Sequence, residues 1–337
     1  MSSILSVVEK FQGLLEENLK FKFSSGRMTL GKCGVPNRLF IFHLCQNQKL
    51  FSDFLQEAGL IKGVFVCEKC NSEMKIRAKK NSSDGLMWVC RKKTAGKECG
   101  IQKSIRHGSW FSSSRLRMEE VFFLTYELVR GTKSEDIQEE YFLSSTTLAD
   151  WRQFVNETIL DYIELNSEKI GGIDKIVEVG ESKFGKRKYH KGHAVEGQWV
   201  FGGVERGSGK IFLVAVHDRT RDTLVGVIKQ WIEPGTAIYS DSWESYDCLD
   251  TEGFQHLKVN HGVTFVNPDT GCHTKTIEST WRHVKSTLPS HNRQMDFKFY
   301  LAYYLYIKSC KEQKVDCFNK YLEIIRDENW AEKKFSV

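Results

Sequence analysis

The sequence predicts an α/β fold in which a mixed sheet domain follows a cysteine-bearing hairpin and a helical region. Three observations predict it. Residues 172–290 alternate between strand-like and helix-like apolar patterns, residues 63–110 place four cysteines around alternating strand-like segments, and residues 1–60 and 113–165 repeat apolar side chains at helical spacing. A chain of 337 residues is long enough for two or three such domains.

Composition sets modest limits on function. The net charge of +6 and the isoelectric point near 8.7 weakly favour an anionic partner. Hydrophobic residues make up 40% and charged residues 27%, as in ordinary soluble domains, and neither a signal peptide nor a bilayer-spanning stretch is visible, so no membrane association is expected. The ten cysteines are therefore expected in a reducing compartment, where metal binding is favoured over disulfides.

Both ends of the chain are predicted to be helical. In residues 1–60, Ile4, Val8 and Phe11 recur at helical spacing, which indicates a small helical cap without chemistry of its own. In residues 291–337, the segment from Phe297 to Ser309 is expected to form a helix that packs against the sheet domain.

Residues 63–110 carry a pattern typical of metal binding. Cys67 and Cys70 are separated by two residues, as on a tight turn, and Cys90 and Cys99 follow from a later hairpin. Four thiolates in this layout can bind one Zn²⁺ tetrahedrally, which predicts a zinc-ribbon-like hairpin with a structural zinc. The eight residues between Cys90 and Cys99 depart from the usual two, and four free thiols are the alternative.

The same hairpin is rich in basic residues, which usually lie at the protein surface. They are Lys75, Arg77, Lys79, Lys80, Arg91, Lys92, Lys93 and Lys97. Such a cluster suits contact with DNA phosphates, and it equally suits a solvated face without a partner. Both interpretations stay open on the sequence alone.

Residues 113–165 predict a helix-turn-helix-like DNA-binding region. One helix is expected over residues 118–129, a second from residue 134, and a third whose N-cap is Ser144 or Ser145. The third helix carries Arg152 and Gln153, side chains that can read base edges in the major groove. An ordinary helical bundle is the alternative.

Residues 172–290 predict three strands in a meander, followed by a helix, a strand, a helix, a strand and a helix. The strands are expected at residues 175–179, 198–205, 210–216, 237–240 and 255–260, and the main helices at 222–232 and 274–288. This is the element order of the ribonuclease H-like fold. In that fold one acid on the first strand, one after the fourth strand and one on a late helix converge on two Mg²⁺ ions.

Two of the three expected acids are present. Asp241 ends the fourth strand and Glu278 lies on the late helix, but the first strand has Gly180 where an acid is expected. Glu178 shares the face of position 180 yet lies roughly 7 Å along the strand, and Glu181 points to the opposite face. Both are possible substitutes. Taken alone, Asp241 is as well explained as a turn cap and Glu278 as a solvated helix residue.

Several segments resemble the Merlin transposases, animal relatives of the bacterial ISXO-like insertion-sequence enzymes. The resemblance covers nearly the whole chain, including the cysteine hairpin. The segments that carry it are Glu181-Ser182-Lys183-Phe184-Gly185-Lys186-Arg187-Lys188-Tyr189, Pro234-Gly235-Thr236 with Ser240-Asp241-Ser242-Trp243, His273-Thr274 with Ile277-Glu278-Ser279-Thr280-Trp281, and Arg106-His107-Gly108-Ser109-Trp110-Phe111.

The resemblance implies a DDE transposase that recognises the terminal inverted repeats of a transposon in double-stranded DNA, in the nucleus and as a homo-oligomer on DNA. It implies that Asp241 and Glu278 bind the catalytic Mg²⁺ or Mn²⁺. Lys186, Arg187 and Lys188, beside the expected site, suit a DNA backbone, although a solvated charge run is the alternative. His273 is expected to be a structural hydrogen-bonding residue.

The chain departs from the family pattern at two positions. The family has an Asp where Gly180 stands, and an Asn where Lys275 stands. Losing one of three carboxylates from a two-metal site raises the reaction barrier, because charge stabilisation is the main catalytic contribution. The sequence therefore favours a transposase-derived DNA-binding protein with impaired strand transfer. A working transposase that uses Glu178 or Glu181 and a decaying transposon copy are the alternatives.

Overall fold

The computed structural model describes residues 2–18, 29–80, 82–94, 96–112, 114–184, 197–241, 244–259, 271–287, 297–328 and 330. The chain divides into two compact units, of which one comprises Met1–Thr158 with Cys310–Val337 and the other Ile159–Ser309. Within those described ranges, no helix is both long and apolar enough to cross a membrane.

The first unit begins with three short helices that share an apolar core. They and an intervening pair of short strands are α1 (Ile4–Asn18), β1 (Gly31–Lys32), β2 (Val35–Pro36), α2 (Arg38–Gln46) and α3 (Gln48–Glu57). The side chains of Asn37 and Asn47 cap α2 and α3 by accepting hydrogen bonds from backbone N–H groups of the first turn. Phe54 is fully buried and meets Phe11 and Phe40 edge-on. The helices predicted for this region are therefore confirmed.

The cysteine-bearing segment forms a small four-stranded antiparallel sheet in the order β3-β4-β5-β8, with β6 and β7 as a separate hairpin. Its strands are β3 (Phe65–Val66), β4 (Glu73–Ala78), β5 (Leu86–Val89), β6 (Lys93–Thr94), β7 (Lys97–Glu98) and β8 (Gln102–Ser104). Along β4, Met74 is buried and the neighbouring Lys75 and Arg77 are exposed, as strand alternation requires. Phe65, Met74 and Trp88 form a core together with the cysteines.

A buried ion pair joins this sheet to the helix that follows it. Arg106 donates from Nε and Nη2 to the two carboxylate oxygens of Asp84, each at 2.5 Å, and the side chains are 4% and 2% exposed. Asp84 also accepts from the backbone N–H of Met118, the first residue of α4 (Met118–Val129). Arg106 donates in addition to the carbonyl of Ser114. The pair therefore connects the tip of the β4–β5 turn to the start of α4.

Two further helices follow in the predicted positions, α5 (Ser134–Tyr141) and α6 (Ser145–Asn166). Ser144 is the N-cap of α6, because its hydroxyl accepts from Thr147 N at 3.0 Å. The turn between α5 and α6 includes Phe142 with a left-handed φ of 51° and a side chain that is 92% exposed. α5, the turn and α6 thus form a helix–turn–helix arrangement. The ring of Trp110 stacks on that of Phe154 of α6, with the ring centroids 4.2 Å apart.

The second unit is built on a five-stranded sheet in the order β12-β11-β10-β14-β15. Its elements are β9 (Ile170–Gly171), β10 (Ile176–Phe184), β11 (Gln198–Glu205), β12 (Ile211–Val216), α7 (Arg221–Trp231), β13 (Ile232–Glu233), β14 (Ala237–Asp241), β15 (Gln255–Val259), α8 (Lys275–Thr287) and α9 (Phe297–Gln313). β11 is antiparallel to both of its neighbours, whereas β10, β14 and β15 run parallel. This is the ribonuclease H-like strand order that the sequence predicts.

Apolar side chains cover both faces of the large sheet. On one face, Val177 and Val179 of β10 pack with Leu224 and Ile228 of α7. On the other face, a second cluster includes Phe184 of β10 and members of α8 and α9. The predicted packing of the helix that begins at Phe297 on the sheet domain is confirmed.

The last helix returns to the first unit. Asp316 is the N-cap of α10 (Cys317–Asp327), and its side chain accepts from the N–H groups of Phe318 and Asn319. Asn319 donates to the carbonyl of Gly34, and Arg130 forms an ion pair with Asp316 at 3.0 Å. The sequence groups residues 291–337 as one C-terminal segment, but they divide between the two units. The reason is that the apolar face of α10 packs into the core of the first unit.

We expect Asp84→Ala to destabilise the first unit by about 3–5 kcal/mol, because it leaves the guanidinium of Arg106 buried without its counterion. Urea unfolding followed by tryptophan fluorescence measures this. The matched control is Asp53→Ala, which removes an exposed ion pair with Lys49 and should cost about 0.5 kcal/mol or less. Equal losses in the free energy of unfolding from the two substitutions would show that the Asp84–Arg106 pair contributes no more to stability than the exposed pair does.

Candidate functional site

The face of β10 on which each residue lies decides what position 180 can do. Val177 and Val179 belong to the apolar cluster beneath α7, whereas Phe184 belongs to the cluster beneath α8. Because successive side chains on a strand alternate, the even-numbered positions of β10 face α8. Gly180 therefore faces the helix that carries Glu278.

Gly180 has room for a side chain. A Cβ atom added at Gly180 would lie 3.7 Å from Ile277 Cγ2 and 3.7 Å from Trp281 Nε1, which is ordinary van der Waals contact. Gly202, its cross-strand partner on β11, is different: a Cβ there would lie 2.8 Å from the Phe212 carbonyl oxygen and 2.9 Å from the Trp281 ring. Packing of the Trp281 ring therefore requires glycine at position 202 but not at position 180.

Asp241 lies on the same face of the sheet as Gly180. β10 and β14 pair in parallel through Glu178 and Tyr239, and the next position of the same face on each strand is Gly180 and Asp241. The guanidinium of Arg206 lies 4.6 Å above the ring of Tyr239 and also contacts Glu178, which identifies this face as the one covered by α8.

Glu278 completes the set from the first turn of α8. It is half-buried, follows Ile277 directly, and accepts a hydrogen bond from Thr274 Oγ1 at 3.1 Å. The elements that carry Gly180, Asp241 and Glu278 are therefore neighbours, as the sequence predicts, with carboxylates at two of the three positions.

Glu178 is fully occupied by other contacts. Its side chain is 0% exposed, and it accepts from Arg206 Nε at 2.7 Å, Thr276 Oγ1 at 2.8 Å, Thr276 N at 2.7 Å and Ile277 N at 3.1 Å. Four bonds use the four lone-pair positions of an ionised carboxylate. Glu178 can bind a metal ion only by giving up its hydrogen bonds to the N-terminus of α8, which argues against it as a metal ligand in place of a residue at position 180.

Arg206 extends this network to His273, on the segment before α8. Its Nη2 lies 2.8 Å from His273 Nδ1 and donates to the His273 carbonyl at 2.9 Å. Burial lowers the pKa of His273, and the positive charge of Arg206 lowers it further. Nδ1 therefore accepts from Arg206 and the ring is neutral, in agreement with the predicted structural role of His273.

Glu181 points to the opposite face, toward α7. Its carboxylate accepts from Tyr246 Oη at 2.5 Å and lies 3.6 Å from Arg219 Nη1. Burial raises the pKa of Glu181, the hydrogen bond from Tyr246 partly offsets this, and the negative charge of Asp241 raises the pKa again. The two carboxylates thus interact electrostatically, but the hydrogen bond to Tyr246 holds Glu181 on the side of the sheet away from Glu278.

The four cysteines form a compact cluster. The Sγ atoms of Cys67, Cys70, Cys90 and Cys99 all lie within 4.8 Å of one another, with Cys67–Cys99 at 3.6 Å and Cys70–Cys90 at 3.3 Å. A tetrahedral site with metal–sulfur bonds of about 2.3 Å has sulfur–sulfur edges of about 3.8 Å, so the cluster is the right size. Over the described ranges, no other group of three or more His, Cys, Asp or Glu side chains comes together in this way.

The local fold explains the long spacing between Cys90 and Cys99. The residues between them form the β6–β7 hairpin, which closes on itself and returns the chain to Cys90. Cys99 N donates to the Lys92 carbonyl and Gly100 N donates to the Cys90 carbonyl. On the other side of the cluster, Asn71 adopts a left-handed φ of 52° and closes the turn after Cys70.

The residues predicted to contact DNA have different surroundings. Arg152 donates to the Thr132 carbonyl at 2.8 Å and to Ser134 Oγ at 3.0 Å, so it holds the start of α5. Gln153 is exposed and donates to Glu157. Lys186, Arg187 and Lys188 lie outside the described residues. The basic side chains of the cysteine hairpin are exposed, as expected for a face that meets an anionic partner or solvent.

Sequence reasoning missed Arg206 and Trp281 as organisers of the site. Arg206 follows β11 in a Gly-rich turn, which indicates a hairpin and not a buried partner for an acid. Trp281 is three residues after Glu278, a spacing that places the two on adjoining surfaces of one helix, and this signal could have revealed it.

Comparisons with known proteins agree with this geometry. The family described as the ISXO2-like transposase domain matches residues 163–307. A protein of Haemophilus influenzae, described as an uncharacterized transposase-like protein, is 29% identical over 102 residues, which make up 30% of this chain and 78% of that protein. The predicted resemblance to ISXO-like DDE transposases is confirmed.

Two solved structures show weaker similarity. One is a chain of the simian T-cell lymphotropic virus intasome, solved with PP2A regulatory subunit B56 gamma, at 15% identity and a TM-score of 0.28, covering 41% of this chain and 50% of that one. The other is the catalytic core domain of BIV integrase, at 13% identity and a TM-score of 0.28, covering 44% of this chain and 93% of that one. The chain thus spans half the length of the first of these chains and most of the second.

Proposed function

We propose that this chain, which carries an ISXO2-like transposase domain, is a transposase-derived DNA-binding protein of the Merlin type whose catalytic metal centre is weakened by Gly180. Its DNA is double-stranded and contains the terminal inverted repeats of the transposon. The protein binds that DNA in the nucleus as a homo-oligomer.

The observation that carries the proposal is that Gly180, Asp241 and Glu278 lie on neighbouring elements, with a carboxylate at two of the three positions. Asp241 and Glu278 are the residues that would hold Mg²⁺ or Mn²⁺, and an ion bound there supplies activation of the attacking oxygen and stabilisation of the leaving oxygen of a DNA strand. Gly180 offers no ligand. The substitute nearest on the same face, Glu178, is saturated with hydrogen bonds to α8 and Arg206.

A second candidate function is a residually active transposase in which Glu181 supplies the missing carboxylate. It is favoured by position, because Glu181 adjoins Gly180 on β10, the strand paired with β14, and the negative charge of Asp241 raises the pKa of Glu181. Reaching a shared metal ion would require Glu181 to leave Tyr246 and Arg219. We therefore rank it second.

The remaining parts of the proposal concern zinc and DNA. The cysteine cluster is proposed to bind one structural Zn²⁺, which makes the hairpin a zinc ribbon; the size of the cluster supports this. The exposed basic face of the hairpin is proposed to contact DNA phosphates. Gln153 and Arg152 on α6 are proposed to lie near base edges, with Gln153 the more accessible of the two.

We expect purified protein to contain about one zinc ion per chain, measured by elemental mass spectrometry. Cys99→Ser should lower the zinc content and unfold the hairpin, because its core consists largely of the metal-binding cysteines and a few apolar side chains. Cys33→Ser, which changes an exposed cysteine outside the cluster, is the matched control and should keep the zinc. Zinc-free protein with an ordered hairpin would refute a structural zinc.

We expect Gly180→Asp to bind Mn²⁺ at least about tenfold more tightly than the native chain, because it adds a carboxylate on the face shared with Asp241, and changing even an outer partner of a metal ligand alters affinity by about that factor. Electron paramagnetic resonance of free Mn²⁺ measures the affinity, and nicking of supercoiled plasmid in Mn²⁺ measures activity. Gly180→Asn is the matched control, since it has the same shape without the charge. Adding Glu278→Gln should abolish the gain.

Lys275 adds a second part to that experiment. Lys275→Asn in the Gly180→Asp protein should improve Mn²⁺ binding further, because it removes a positive charge from the first turn of α8. If the native chain binds Mn²⁺ and nicks plasmid as well as the Gly180→Asp protein does, the loss of the site at Gly180 is wrong and the residually active transposase is the better description.

We expect the full-length chain to bind double-stranded DNA with an affinity that falls steeply with salt, because lysine and arginine contacts release counterions. Combining Lys92→Glu with Lys93→Glu should reduce the slope of log affinity against log salt by roughly 0.9 for each lost phosphate contact. Lys49→Glu, an exposed lysine on α3, is the matched control. Equal losses from both changes would indicate that the hairpin has no special part in DNA contact.

A further inference from the structure

We infer that Glu178 and Arg206 are positioning residues that set where Asp241 and Glu278 stand relative to β10. The inference rests on the proposed function, because a metal centre is what these residues would position. It assigns a role to a buried ion pair that offers no ligand of its own.

Glu178 caps the start of α8. The first N–H groups of a helix have no partner within the helix, and a buried carboxylate from a neighbouring strand can accept them. Glu178 does so for Thr276 N and Ile277 N, and it also accepts from Thr276 Oγ1. Its negative charge is favoured at that end of the helix.

This cap fixes the direction of Glu278. With 3.6 residues per turn, a shift of the helix start by one residue rotates every side chain by about 100°. Glu278 follows the capped Ile277 N directly, so the bonds of Glu178 fix the rotation of the first turn from which the Glu278 side chain extends. The cap therefore controls a ligand direction as well as the stability of the helix.

Arg206 links Glu178 to β14. Arg206 forms the ion pair with Glu178 at 2.7 Å and lies 4.6 Å above the ring of Tyr239, two residues before Asp241. The same guanidinium donates to the carbonyl of His273, just ahead of α8. One planar, five-donor group thus contacts β10, β14 and the segment that leads into α8, which an ammonium group could not reproduce.

The contacts follow a regular spacing. Glu178 is two residues before Gly180, Tyr239 is two residues before Asp241, and Thr276 is two residues before Glu278. On the two strands, these contacts lie at the neighbouring position of the same face as Gly180 and Asp241. On α8, they lie at Thr276 and Ile277, the two residues that precede Glu278.

The test is a double-mutant cycle on Mn²⁺ affinity in the Gly180→Asp protein. Glu178→Gln should weaken Mn²⁺ binding about tenfold, as is usual when a partner of a metal ligand is changed. In the presence of Glu278→Gln, Glu178→Gln should not change the Mn²⁺ affinity further, because position 278 no longer carries a carboxylate that Glu178 could position. Arg206→Lys should behave like Glu178→Gln.

The control is Glu205→Gln. Glu205 is another buried acid of the same sheet that accepts a backbone N–H, from Gly171, and neighbours a basic residue, Lys175, but it does not contact α8. It should leave Mn²⁺ affinity unchanged. Hydrogen exchange of the α8 amides in the native chain gives a readout independent of metal, and Glu178→Gln should raise the exchange rates of Thr276 and Ile277.

The outcomes are distinguishable. Unchanged exchange, or Mn²⁺ affinity that Glu178→Gln does not alter, would overturn the positioning role and leave the proposed function intact. A tenfold loss that persists in the Glu278→Gln background would show a general structural effect and would also overturn the positioning role. Absence of Mn²⁺ binding by the Gly180→Asp protein would overturn the proposed function, and the positioning role with it.

Discussion

A single ion pair, between Glu178 and Arg206, joins the elements on which the candidate site is built. Glu178 is fully buried and holds the first turn of α8, while Arg206 reaches β14 and the segment that enters α8. A buried charge is costly unless it is paired and hydrogen-bonded, and here every lone pair of the carboxylate is satisfied. The ion pair and the apolar cluster between the sheet and α8 therefore act on the same elements.

The two glycines beneath Trp281 show how packing and chemistry can be separated within one site. Gly202 makes space for the indole ring, and any larger residue there would collide with backbone. Gly180 faces the same ring but has room for a Cβ atom, so packing does not explain its presence. Either a glycine or a residue with a side chain at position 180 is thus compatible with this packing.

Much of the architecture could be predicted from the sequence, and the reasons are local. Met118–Val129 is bounded by a capping segment and by Gly131, Ser144 is an N-cap, and the strands of the large sheet follow apolar periodicity. That β10, β14 and α8 are neighbours could be predicted because the ribonuclease H-like element order fixes which elements meet.

The contacts within the site could not be predicted in the same way. That Glu178 caps α8 depends on a pairing between residues far apart in sequence, and neither periodicity nor spacing reports such a pairing. Arg206 in a glycine-rich turn has the pattern of a solvated residue, and the bonds of Arg152 to Thr132 and Ser134 likewise join residues too far apart in sequence for periodicity to indicate them. The association of α10 with the first unit likewise depends on tertiary contacts, such as the bond from Asn319 to Gly34.

The return of α10 to the first unit has a consequence for biosynthesis. Domains commonly fold in order as they leave the ribosome, N-terminal part first. Here the first unit lacks one of its core helices until the whole sheet domain has been translated, because α10 follows α9 in the chain. During elongation, the apolar surface of the N-terminal helices that α10 will cover is therefore exposed. A chain released before α10 is made would keep that surface exposed, and chaperones and proteases recognise such surfaces.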